Sequence, residues 1–148
     1  MSADIEAVAS AYGAFYESIT RESVVDLRAL VAPEVRFKDP FNDLHGVDSM
    51  VRVMEHMFDD ATDIRFVIDD RTVRGSLCYL RWRFWFRPRR FSHGEPWQVE
   101  GVSLVRFDAD GKVLEHIDYW DAAQQIYERI PVVGVLVRRL RAYLALSS

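Results

Sequence analysis

The chain has 148 residues, of which 49% are apolar, 13% aromatic and 28% charged, so it is long enough for one domain with a sizeable core. Its net charge of −4 argues against a domain built to wrap nucleic acid, and no apolar stretch approaches the roughly 20 residues of a membrane-spanning helix. The single cysteine, Cys78, excludes a disulfide or a cysteine zinc site within one chain. Together with an amino terminus unlike a secretion signal, it predicts a cytoplasmic protein.

The first half of the chain has mainly the periodicity of helices. The predicted elements are a helix over 4–19, a short helix over 24–30, a strand over 35–39 and a helix over 47–58. The first helix has apolar residues at steps of three and four, with Tyr12 and Tyr16 on its buried face. Pro40 ends the strand, because proline cannot donate a hydrogen bond to a neighbouring strand.

The second half changes to the period of two that is typical of strands. The predicted strands are 64–73, 76–87, 97–107 and 112–120. Turn sequences separate them, which predicts sequential hairpins and an antiparallel sheet. Helices followed by such a sheet indicate an α+β protein whose helices pack on one face of the sheet. Two further helical stretches, 122–129 and 132–146, are separated by Pro131.

The run from Arg81 to Phe91 mixes arginines with aromatic residues, a composition also found in proteins that bind single-stranded nucleic acid. Alternation along a strand favours another interpretation, because it separates the residues into two faces. The apolar face comprises Leu80, Trp82, Phe84 and Phe86, and the other comprises Arg81, Arg83, Trp85 and Arg87. Glu100 and Glu115 on neighbouring strands are expected to pair with the arginines, so no nucleic-acid partner is predicted.

Three short motifs carry a resemblance to a known family. They are Lys38-Asp39-Pro40, the run LVRFDADGKV at 104–113, and Asp118-Tyr119-Trp120-Asp121. Over residues 5–121 the chain resembles the nuclear transport factor 2-like superfamily, and within it the ketosteroid isomerases and the polyketide-cyclase-like (SnoaL-like) group. The resemblance implies a cone-shaped α+β barrel in which a curved antiparallel sheet wraps around a long N-terminal helix and encloses a pocket. It implies a single domain over 1–148, with 122–148 as a C-terminal helical extension.

The resemblance also implies the position of a catalytic site. Asp39 lies where the isomerases carry their base, and Tyr12 aligns with their donor tyrosine. Where the isomerases have an aspartic acid, this chain has Ser103, whose hydroxyl is a less acidic donor. On the last strand one face carries Leu114, His116, Asp118 and Trp120, and it faces the pocket if Trp120 is placed as in the isomerases. An imidazole can give or take a proton near neutral pH.

The candidate catalytic residues are therefore Tyr12, Asp39, His116 and Asp118. The candidate ligand-binding residues are Tyr16, Phe37, Trp82, Phe84, Trp97, Ser103 and Trp120. Each polar candidate also has a structural interpretation: Asp39 can cap a turn, His116 and Asp118 can form a structural pair, and the tyrosines can be core residues. Neither a metal nor a cofactor is expected, since His116 and Asp118 supply only two metal ligands and no phosphate-binding loop is present.

Two surfaces suggest partners. Trp85, Ile117 and Tyr119 on the outer face of the sheet predict a homodimer interface, which this face commonly is in the family. The C-terminal helix carries an apolar stripe beside three arginines, formed by Val133, Leu136, Val137, Leu140 and Leu144 with Arg138, Arg139 and Arg141. Docking of this helix on the domain or on its dimer partner is favoured over an anionic membrane surface.

The sequence leaves the choice between an enzyme and a binding protein open. The leading hypothesis is a cofactor-independent isomerase, cyclase or dehydratase that acts on a small apolar carbonyl compound, with Asp39 and the His116/Asp118 pair as acid and base and Tyr12 as donor. The alternative is a non-catalytic ligand carrier or sensor with the same pocket. A third hypothesis is a structural dimer whose pocket is filled by its own side chains.

Overall fold

The N-terminal half forms three helices that supply one wall of the core. The computed structural model describes residues 3–146, so the outermost ends of the predicted domain and of its C-terminal extension lie outside the described residues. Helix α1 is Ile5–Glu17, and the Asp4 carboxylate caps it by accepting a hydrogen bond from the Ala7 amide. A 3₁₀ turn, Ser23–Asp26, leads into the short α2, Leu27–Leu30, and α3 is Val47–Asp60.

Six strands form one sheet in the order β2-β1-β6-β5-β4-β3. They are β1 Val31–Lys38, β2 Asp43–His45, β3 Ala61–Arg74, β4 Leu77–Pro88, β5 Trp97–Phe107 and β6 Val113–Tyr119. The α+β prediction is confirmed, with two differences. The pairing of β1 with β6 is parallel, because distant parts of the chain meet there without a hairpin. The three-residue β2 lies between the predicted strand over 35–39 and the predicted helix over 47–58, where no element was predicted.

Strict alternation along β6 fails at its start. The register between β5 and β6 shifts between Arg106 and Phe107, so that Phe107 lies opposite Val113. Val113 is consequently fully buried in the core, whereas Leu114, which was predicted to share the face of His116, is only partly buried. A bulge inserts one residue and exchanges the faces on one side of it. From His116 to Trp120 the predicted alternation holds.

The outer face of the sheet carries ion pairs, but not the predicted ones. Arg83 pairs with Asp69 and Arg87 with Asp63, both 2.7 Å away on β3. Glu115 lies 3.5 Å from Arg36 and 3.9 Å from Arg106. A strand neighbours two others, and the acidic residues of β3 reach the β4 arginines more closely than Glu100 does, although Glu100 lies opposite Arg83 in the β4–β5 register.

Two of the three predicted dimer-interface residues differ from expectation. Ile117 is only 8% exposed within the single chain, so the protein's own residues already cover it. Trp85 is partly buried, with the guanidinium groups of Arg65 and Arg83 about 5 Å from its ring. Tyr119 is 59% exposed, as expected. The outer face is therefore less apolar than the sequence predicted.

The C-terminal extension consists of α4, Ala122–Gln125, a 3₁₀ turn, Tyr127–Arg129, and α5, Val133–Leu144. The predicted helix over 122–129 is thus broken at Ile126. Gly134 seats α5 against the 3₁₀ turn, since an added Cβ would lie 2.2 Å from the Glu128 carbonyl oxygen. Of the two surfaces expected to cover the apolar stripe, the domain does not: Leu136, Leu140 and Leu144 are each at least 60% exposed. Docking on a dimer partner stays a prediction.

None of the helices in residues 3–146 is both long and apolar enough to cross a bilayer.

Candidate functional site

A cavity of about 1050 Å³ lies between the inner face of the sheet and helices α1 and α3. This space contradicts the hypothesis that the pocket is filled by its own side chains, because it is of the size that holds a drug-sized ligand. Exposed residues from the end of α3 and from the β4–β5 loop line one end of the cavity, which places the opening there; they are Arg52, His56, Asp59, Asp60, Arg89, Arg90 and Phe91.

Aromatic rings form one wall of the cavity. Phe66 and Phe84 stack with centroids 4.2 Å apart and an interplanar angle of 7°, and Phe86 stacks on Phe84 at 4.7 Å. Trp97 meets Phe86 edge to face at 6.2 Å. This wall follows from period-two alternation on β3, β4 and β5, which turns every second side chain inward. Such a wall favours flat, apolar ligands.

A chain of hydrogen bonds crosses the inner end of the cavity. The Trp82 indole N–H donates to Ser103 Oγ at 2.8 Å, and the Ser103 hydroxyl donates to Asp118 Oδ1 at 2.5 Å. His116 Nε2 lies 2.7 Å from the same carboxylate oxygen, and His116 Nδ1 lies 2.6 Å from the Tyr12 hydroxyl. The Tyr12 hydroxyl is in turn 3.2 Å from that of Tyr16.

This chain of hydrogen bonds leaves one carboxylate oxygen, Asp118 Oδ2, available to a ligand. Asp118 Oδ1 accepts two hydrogen bonds, whereas no donor from the described part of the chain reaches Asp118 Oδ2, and Asp118 lines the cavity. His116 is 3% exposed and both its ring nitrogens are engaged. A carboxylate with one oxygen held by a histidine and a serine and the other free is arranged to exchange a proton with a bound molecule.

Tyr12 and Tyr16, the two tyrosines in this chain of hydrogen bonds, are proton donors at neutral pH. Burial is the main cause that raises the pKa of Tyr12 and of Tyr16 above the ordinary value for a phenol, since ionisation would place a charge in an apolar site. Tyr16 lines the cavity and Tyr12 does not. Tyr12, predicted to be the ligand's donor, is instead 1% exposed and lies behind His116, because it sits one helical turn deeper.

Asp39 caps a turn and also lies on the cavity, while its catalytic role stays a prediction. It lines the cavity, and its Oδ1 accepts hydrogen bonds from the amides of Phe41 and Asn42 at 2.8 and 2.7 Å, which closes the turn after β1. The Asn42 side chain also donates to both of its oxygens, at 3.1 and 3.3 Å. Burial raises the pKa of Asp39, and these hydrogen bonds oppose that rise only in part.

Asp39→Asn is expected to stabilise the folded protein at neutral pH. The raised pKa means that ionised Asp39 is penalised in the folded state, so wild-type stability is lost as pH rises from the ordinary pKa of 3.8 through the higher folded value. Asparagine keeps the acceptor of the turn but carries no charge. Denaturant unfolding between pH 3 and pH 7 checks this: the variant's advantage should grow with pH, and equal slopes for both proteins would contradict it.

The other predicted ligand-binding residues also line the cavity. They are Phe37, Trp82, Phe84, Trp97, Ser103 and Trp120. Tyr16, Asp39, His116 and Asp118 line it as well, so Tyr12 is the one candidate that does not. The helix α3 and Phe66 also line the cavity, although the sequence pattern did not indicate it. Neither did it indicate the arginines at the opening, which no local pattern distinguishes from surface residues. Within residues 3–146 no group of three or more potential metal ligands occurs.

Comparison with known proteins identifies the family. The model of the SnoaL-like domain matches residues 12–116, which is most of the chain. The chain belongs to the SnoaL-like domain family. Among curated proteins, none matches the sequence of this SnoaL-like domain.

Solved structures place the SnoaL-like domain in the nuclear transport factor 2-like fold. A protein of unknown function from Burkholderia pseudomallei has a TM-score of 0.70 at 19% identity, covering 84% of this chain and 95% of its own. A candidate SnoaL-like polyketide cyclase from Jannaschia sp. has a TM-score of 0.67 at 16% identity, covering 97% and 93%. A protein with a ketosteroid isomerase-like fold from Catenulispora acidiphila reaches 0.70 at 12% identity, covering 84% and 93%. The predicted superfamily and branch are confirmed.

Proposed function

We propose that this protein catalyses a cofactor-independent isomerisation, cyclisation or dehydration of a small, mostly apolar carbonyl compound by acid–base chemistry. The observation that carries the proposal is that Asp118 lines an apolar cavity, with its Oδ1 held by His116 and Ser103 and its Oδ2 without a donor from the described residues. The family and the structural neighbour described as a candidate polyketide cyclase support this class of chemistry.

In this mechanism Asp118 takes a proton from the carbon beside the ligand's carbonyl group. The resulting enolate oxygen needs a hydrogen-bond donor, and the cavity offers the Tyr16 hydroxyl. His116 and Ser103 keep the base oriented, and Asp39 supplies a second carboxylate on the same cavity.

The proposal predicts that the protein accelerates hydrogen–deuterium exchange at the acidic carbon of a bicyclic aromatic ketone such as 2-tetralone. Exchange in D₂O is followed by proton NMR with and without the protein. Acceleration well above that of free aspartate and imidazole buffer at matched concentration is the expected result. Saturable binding of the ketone without any acceleration would overturn the enzyme proposal.

A carrier or sensor function remains the second candidate, and one observation favours it. Both nitrogens of His116 and one oxygen of Asp118 are satisfied inside the protein, as in a purely structural network. Native mass spectrometry of freshly purified protein separates the two functions. A tightly held apolar molecule, retained equally by wild type and by Asp118→Asn, supports a carrier, whereas rapid ligand turnover does not.

We also propose that the chain is a single domain over 1–148, with 122–148 as an extension, and that it forms a homodimer through the outer face of the sheet. The uncovered stripe of α5 gives the dimer a second contact. Deleting residues 131–148 is therefore expected to weaken the dimer, measured as a higher dissociation constant by analytical ultracentrifugation. An unchanged dissociation constant, together with loss of binding to anionic liposomes, would instead assign the helix to a membrane surface.

A further inference from the structure

Two members of the hydrogen-bonded chain that line the cavity are Asp118 and Tyr16, and Tyr12 joins Tyr16 to the ring of His116 from behind. We propose that Tyr16 is the acid that protonates the ligand's oxygen, and that His116 resupplies its proton through Tyr12. This inference rests on the proposed function and assigns the ligand a carbonyl oxygen beside Tyr16.

The direction of the hydrogen bonds depends on the charge of His116. Because Asp118 accepts from Nε2, a neutral imidazole has its other nitrogen, Nδ1, free to accept from the Tyr12 hydroxyl. Tyr16 then donates to Tyr12, and its proton is held inside the protein. When the imidazole is protonated, Nδ1–H donates to Tyr12 and Tyr12 donates to Tyr16. The hydroxyl proton of Tyr16 is then free to point at a ligand.

The transfer step balances without charging either tyrosine. The enolate oxygen takes the hydroxyl proton of Tyr16, Tyr16 takes that of Tyr12, and Tyr12 takes the Nδ1 proton of the imidazolium. The ligand becomes an enol, and His116 becomes neutral with Nε2–H still donated to Asp118. When Asp118 protonates the carbon, the enol returns its proton to Tyr16. The relay then shifts back and His116 is protonated again.

Electrostatics favours this route in a dry site. The proposed step starts from a negative Asp118 and a positive His116 and ends with the carbon's proton on Asp118 and a neutral His116, so the pair keeps a net charge of zero. The titratable groups around His116 are Tyr12 and Tyr16 from α1, Asp118 from its own strand, and Asp39 at the end of β1. Phe37 and Val105, its register neighbours on β1 and β5, are apolar.

The relay can be tested at equilibrium with 4-nitrophenol, whose anion imitates an enolate oxygen and differs in colour from the acid. Its binding is measured by absorbance, and protonation of His116 by ¹⁵N NMR of histidine-labelled protein. Bound anion is expected to raise the titration midpoint of His116 by about one pH unit or more, because it favours the protonated relay. His45 and His93, which are exposed and do not line the cavity, should not respond and serve as internal controls.

Tyr12→Phe removes one hydroxyl from the relay and leaves Tyr16 in place. It is expected to weaken binding of the nitrophenolate about tenfold and to abolish the response of His116. Tyr16→Phe should abolish the same response, and Tyr79→Phe, at an exposed tyrosine on β4, is the matched control that should change neither.

Three results would overturn the relay: no saturable binding of the anion, binding that leaves the His116 midpoint unchanged, or a Tyr12→Phe variant with wild-type affinity and response. These results are distinguishable from failure of the proposed function, because nitrophenolate binding involves no turnover. If Asp118→Asn exchanges ketone protons as fast as wild type while the His116 response persists, the proposed function fails and the relay stands as a binding device.

Discussion

Asp118→Asn is expected to slow protein-catalysed exchange of 2-tetralone protons by about 100-fold or more. The substitution keeps the size of the side chain and an oxygen that can accept from Ser103 and His116, but an amide has no basic oxygen to take a proton. Loss of a positioned base typically costs two to four orders of magnitude. Exchange rates measured by NMR at equal protein concentration check the prediction.

Asp39→Asn is the matched control, since both carboxylates line the same cavity. The Oδ1 of Asp39 already accepts hydrogen bonds from the turn amides of Phe41 and Asn42. We therefore expect the Asp39→Asn variant to keep more than about one tenth of the exchange rate. If Asp39→Asn lost the activity and Asp118→Asn kept it, the base would be Asp39, where the family resemblance places it, and our assignment would be wrong.

Gly101→Ala is expected to destabilise the fold by about 1–3 kcal/mol. An added Cβ at this position in β5 would lie 2.7 Å from the Tyr119 carbonyl oxygen and 2.8 Å from both Trp120 Cβ and Trp82 Cζ2. The first two are backbone or near-backbone atoms at the end of the neighbouring strand β6, so relief requires displacement of that strand end or of Trp82. Chemical denaturation measures the loss, and reduced ligand binding should accompany it.

The contrasting variant is Gly13→Ala, which is expected to stabilise the protein by up to about 1 kcal/mol. Gly13 is buried inside α1, where alanine is the better helix former. Its added Cβ would meet Ile68 Cγ1 at 3.5 Å and Leu80 Cδ2 at 4.0 Å, which are ordinary contacts. Equal effects of the two substitutions would show that the close approach at Gly101 does not limit stability.

Much of the fold is predictable from local pattern because strands and helices expose their periods in the chain. The inward set on β4, Leu80, Trp82, Phe84 and Phe86, lines the cavity as alternation requires. The same rule fails for Leu114, where a bulge shifts the register. A bulge depends on the pairing of two strands, so neither strand alone specifies it.

Only part of the candidate site was predictable from the sequence. Asp118 and His116 are two residues apart on one strand, so their shared face follows from alternation. Their connection to Tyr12, which is 104 residues away from His116, does not follow from it. Which of Tyr12 and Tyr16 lines the cavity depends on how deeply α1 lies against the sheet, and no local pattern contains that depth.

The sequence by itself determined an α+β domain, its superfamily and an aromatic inner wall, because these follow from periodicity and from short motifs along the chain. The tertiary structure decided which polar atoms meet. It joined Ser103, Asp118, His116, Tyr12 and Tyr16 into one chain of hydrogen bonds, placed Asp118 on the cavity with no donor from the described residues to its Oδ2, and left the stripe of α5 uncovered. The physical reason is that a hydrogen bond requires heavy atoms within about 3 Å, and only the packing of α1 against the sheet sets distances that small between remote residues.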